Sequence, residues 1–69
     1  MIQLATLRNG ITDERQAQAY YKDLIPRTVD GNERASFKHM LKEEKDHEEL
    51  LVKMLTKRIE EQKIYPFKI

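Results

Sequence analysis

"LKEEKDHEELL", residues 41–51, decides how this 69-residue chain is read. Glu44 and His47 stand three residues apart in a run rich in strong helix formers. Residues three apart share one face of a helix. That face is not an ordinary solvated one. Apolar side chains recur at Phe37, Met40 and Leu41 before it, and at Leu51, Met54, Leu55 and Ile59 after it. Their spacing is the helical period, and Glu44, His47 and Glu48 fill the gap in the stripe. A carboxylate and an imidazole thus occupy what should be the middle of an apolar seam. Such burial is costly unless the groups are paired or bound to something.

Working outward, nothing between Gly31 and Pro66 breaks a helix. Asn32 is the expected N-cap, with Glu33 favourable in the first turn. In the first half, Leu4, Leu7, Ile11, Glu14, Tyr21 and Leu24 or Ile25 also keep helical spacing. Two starts are open for this helix. Thr12 could cap a helix beginning at Asp13. Alternatively the helix begins near Ile2 and runs through Asn9 and Gly10, the glycine costing about 1 kcal/mol. The stripe keeps its phase across Gly10, which favours the second. Pro26 disfavours the helical conformation at Ile25 and should end or kink the helix. "VDGN", residues 29–32, then reads as the turn. The expected fold is all-α: an antiparallel helical hairpin over residues 1–63 with a short tail at 64–69.

Composition supports a chain with one apolar face. Hydrophobic residues make up 39% and charged residues 36%, with 13 basic against 12 acidic side chains and a net charge of +1. The signs are interspersed, so no basic patch argues for nucleic acid. No apolar run reaches membrane-spanning length, and the first residues lack the pattern of a signal peptide. The expected compartment is the cytoplasm. There is no cysteine, hence no disulfide and no thiolate metal site. A chain this short rarely stabilises a core alone, which leaves self-association or a metal to supply the rest.

Glu14 lies seven residues from both Leu7 and Tyr21, so it too falls in the seam. One hairpin therefore offers two Glu and one His, and two hairpins face to face offer four Glu and two His. That is the ligand set of di-iron carboxylate four-helix bundles: a Glu from each of two helices and a Glu-x-x-His from each of the other two. It argues for a homodimer with the site on the two-fold axis. Carboxylates and imidazole suit iron, and manganese or zinc would fit the same donors.

"ERQAQAYY" followed by "EEKDH" resembles the ferritin-like superfamily. Its rubrerythrin-type sequences carry a Glu, an aromatic seven residues on, a turn, then Glu-x-x-His. The short chain and the close spacing of Glu14 and Glu44 look most like the encapsulated ferritins, whose single hairpins pair into a four-helix bundle. The resemblance covers roughly residues 4–62. It implies that Glu14, Glu44 and His47 are the metal ligands and catalytic residues of a ferroxidase. Two iron ions per dimer would serve iron storage or detoxification. It implies further that Tyr21 donates a hydrogen bond behind the ligands and that Tyr20 stands near the metal entry. A ring-like higher oligomer held as cargo inside an encapsulin shell would follow. Two departures stand out. Where those proteins flank the first ligand with extra acidic residues, this chain has Asp13 and Gln16. The tail "KIYPFKI" is basic and apolar without forming a clear cargo-loading peptide.

Two other readings stay open. A metal-free dimeric hairpin could act as a structural or assembly module, with Glu14 and His47 pairing across the interface to fix register. A di-iron site could instead reduce peroxide, although no rubredoxin-like cysteine segment follows. Glu48 either supports the site or reaches solvent. His39 reads as solvated, and Met40 and Met54 read as core filler.

Overall fold

The structure is a computed structural model and describes residues 3–62. The expected helix start near Ile2 and the tail at 64–69 lie outside the described residues. Two helices account for nearly all of the rest: α1 at Leu4–Leu24 and α2 at Gly31–Gln62, joined through a 3₁₀ turn at Ile25–Arg27. Contacts run antiparallel. Tyr21 stacks on Phe37 near the turn, Glu14 faces His47 further along, and Gly10 meets Leu51 beyond it.

Helix α1 continues through Gly10, as the unbroken stripe requires. Thr12 caps nothing; its hydroxyl donates back to the Arg8 carbonyl at 3.2 Å. Gly10 also serves packing. A Cβ there would lie 3.3 Å from Leu51 Cδ1, so the missing side chain lets the helices close at that level.

The connection differs in detail from expectation. Ile25 keeps helical dihedrals (φ −53°, ψ −51°) although Pro26 follows it. Proline ends α1 here through its missing N–H, tightening the chain into the 3₁₀ turn. The Thr28 hydroxyl donates to the Leu24 carbonyl at 2.8 Å, and the Arg34 guanidinium donates to the carbonyls of Thr28 and Val29. The N-cap is Asp30 rather than Asn32. Its Oδ2 accepts the Glu33 backbone N–H at 2.9 Å and its carbonyl accepts that of Arg34. Helix α2 therefore takes in Gly31 and Asn32, and the turn is shorter than "VDGN". Asp30→Ala is expected to cost about 1 kcal/mol in denaturant unfolding followed by circular dichroism, and Asn32→Ala a few tenths at most.

The interior is thin. Among the described residues only Leu7, Ile11 and Gln18 are buried, all on α1. The molecule measures 54 × 18 × 16 Å, and among the described residues nothing stands behind the single seam between the helices. Met40 and Met54, expected in the core, are 41% and 40% exposed. They lie seven residues either side of His47, on the edge of the stripe turned away from α1. Leu50 and Tyr20 are exposed as well. Among the described residues no helix is long and apolar enough to cross a membrane.

Candidate metal centre

Midway along the hairpin the seam turns polar. Glu14 from α1 and Glu44 and His47 from α2 each offer one ligand atom, all within 4.8 Å of one another. His47 Nδ1 lies 3.8 Å from Glu14 Oε2 and 4.0 Å from Glu44 Oε2. Those separations are too long for hydrogen bonds. They suit donors around a shared ion, since ligands each about 2.0–2.2 Å from one centre can stand up to about 4 Å apart.

The two carboxylates are half-buried and His47 is 55% exposed. The imidazole thus sits on the rim of the seam rather than inside it, on the side that also carries Met40, Leu50 and Met54. Glu14 Oε2 is buried and has no hydrogen-bond partner. A buried oxygen left without a donor is a standing free-energy cost, and a bound cation would relieve it. The donor set and this orphaned oxygen fit an ion held by Glu14, Glu44 and His47.

Apolar layers bracket the cluster. On one side Ile11 and Leu51 pack below it. On the other the Tyr21 ring stacks on Phe37 with centroids 6.2 Å apart, and Tyr20 meets the Tyr21 ring edge-on at 5.4 Å. His39 pairs with Glu43 at 2.8 Å on the exposed surface of α2, apart from the cluster.

Glu48 does not join the cluster and is only partly exposed. It turns across the seam to α1, where its Oε2 accepts from Arg15 Nε at 2.8 Å and its Oε1 from Gln18 Nε2 at 2.6 Å. The Arg15 hydrogen bond first, and that of Gln18 second, hold its carboxyl below the usual carboxylate range. Arg15 and Gln18 escape a reading that looks only for ligands. The signal for Gln18 was its place in the seam, four residues after Glu14 and three before Tyr21. A buried amide there must find a partner.

A family profile described as Rubrerythrin matches residues 5–68. No curated protein and no solved structure gives a significant match.

Proposed function

Because the chain belongs to the rubrerythrin family, we propose that it pairs with a second copy to complete a di-iron carboxylate site and works as a ferroxidase. The observation that carries this reading is the buried, unpartnered Glu14 Oε2 beside Glu44 and His47. Two such clusters brought together would give four carboxylates and two imidazoles, formally four negative charges opposite two divalent ions. Iron bound there supplies one electron per ion, so an adjacent pair can deliver two to O₂ or peroxide.

The residues divide the work. Glu14 and Glu44 come from different helices, so an ion held by both also ties the hairpin together. Each carboxylate can bind through one oxygen or bridge through two, which lets the ligand set follow a change in ionic charge. His47 adds a neutral donor on the rim. Ile11 and Leu51 below and the Tyr21–Phe37 stack above limit water along the seam, which strengthens the carboxylates' pull on a cation. The half-exposed imidazole leaves the site open at the face where the second copy would dock. The product iron(III) would pass to a store; manganese or zinc could occupy the same donors.

Native mass spectrometry with iron(II) added tests the reading. The expected result is a dimer carrying two ions, with both lost in Glu44→Ala. A dimer that takes up no metal, and is indifferent to chelator, would leave a helical interaction module in place of an enzyme.

A further inference from the structure

Glu48 is the fourth metal-ligating side chain on this stretch of the seam, and it is the one kept away. It follows Glu44 by one helical turn, where side chains stand about 5–6 Å apart on a common face. Both of its oxygens are engaged by α1: Oε2 by Arg15 at 2.8 Å and Oε1 by Gln18 at 2.6 Å. The two donors are not equivalent. Arg15 is largely exposed, whereas Gln18 is 8% exposed and faces inward. A polar side chain so buried, with its amide spent on one carboxylate, has little freedom to let that carboxylate go. Arg15 follows Glu14 directly and Glu48 follows His47 directly. The bridge therefore spans the same level of the hairpin as the metal cluster, on its opposite edge.

We propose that Arg15 and Gln18 hold Glu48 out of the coordination sphere, making it a positioning residue that limits each chain to two ligating carboxylates. This rests on the metal reading given above. The consequence is a matter of charge. Two carboxylates per chain balance two divalent ions per pair of chains. A third from each would leave two excess negative charges, which favour tighter holding of the cation and above all of a trivalent product. The latch thereby keeps the site suited to taking up a divalent ion and releasing it once oxidised.

The test uses cobalt(II), followed by isothermal titration and by its visible absorption, so no turnover is needed. The Arg15→Met/Gln18→Leu pair frees Glu48 and fills the seam with apolar side chains. It is expected to bind cobalt(II) at least about tenfold more tightly than the natural chain. Adding Glu48→Gln should cancel that gain. A bridge that only joined the helices would give the reverse: weaker binding in the pair, with Glu48→Gln making no difference. Gln18→Leu alone keeps the Arg15–Glu48 ion pair and carries the same test should the pair not fold, its smaller gain again cancelled by Glu48→Gln. A gain that survives Glu48→Gln, or no gain in either background, overturns the inference while the metal reading stands. A natural chain that takes up no cobalt(II) overturns both.

Discussion

Glu14→Leu is expected to abolish metal uptake and, in the metal-free chain, to raise stability by about 1–3 kcal/mol. The two effects have one cause. Glu14 Oε2 is buried without a hydrogen-bond partner; across the seam His47 Nδ1, 3.8 Å away, is too far to donate to it, and the Glu44 carboxylate can only accept. Without an ion the carboxylate keeps the desolvation penalty and gains little in return. Leucine removes the penalty and joins the apolar layer of Leu7 and Ile11 at the next turn. Changes to groups that merely orient a ligand cost about 10–100-fold in metal affinity, so removal of a ligand itself should exceed that range. Cobalt(II) titration reads the first effect, and urea unfolding in the presence of a chelator reads the second. A Glu14→Leu chain less stable than its parent would show that Glu14 already has a structural partner. The metal-free register contact would then be the better account.

That cluster was legible in the sequence because a seam position filled by a charged residue breaks a period that can be counted. Glu14, Glu44 and His47 each interrupt an apolar stripe, and the hairpin brings all three together. The path of α1 through Gly10 was legible for the same reason, since phase survives a single glycine. What escaped were features set by a few side-chain torsions. Whether Asp30 or Asn32 caps α2 depends on which carboxyl or amide reaches the free N–H groups, and both residue types serve well at that position. Glu48 could face solvent or turn across to α1, and only the partners Arg15 and Gln18 decide it. His47 lies on the rim because the seam of a two-helix hairpin is narrower than the stripe that marks it. Met40 and Met54 mislead likewise: their spacing predicts burial, and the hairpin alone cannot provide it.

Leu50→Asp is expected to convert the proposed dimer to a monomer, with loss of most helicity and of metal uptake. Met40, His47, Leu50 and Met54 share one side of α2, and Leu50 is 59% exposed there. By helical register Tyr20, itself 62% exposed, lies on the matching side of α1. A hairpin with three buried residues among those described has little to stabilise it unless that face is covered. In a two-fold interface the same patch is used by both copies, so one substitution places two carboxylates in it. Val52→Asp is the control. Val52 is 37% exposed but borders Arg8 and Arg15 on the opposite edge of the hairpin, where a carboxylate meets guanidinium groups. It should leave the proposed dimer and its metal uptake intact. Sedimentation velocity with circular dichroism separates the two variants. Loss of the dimer in Val52→Asp but not in Leu50→Asp would place the contact on the Arg8–Arg15 edge, away from His47. The second copy could then not complete the site. Loss in Leu50→Asp alone would tie association to the face on which Glu14, Glu44 and His47 open, so that dimer formation and metal binding complete the same structure.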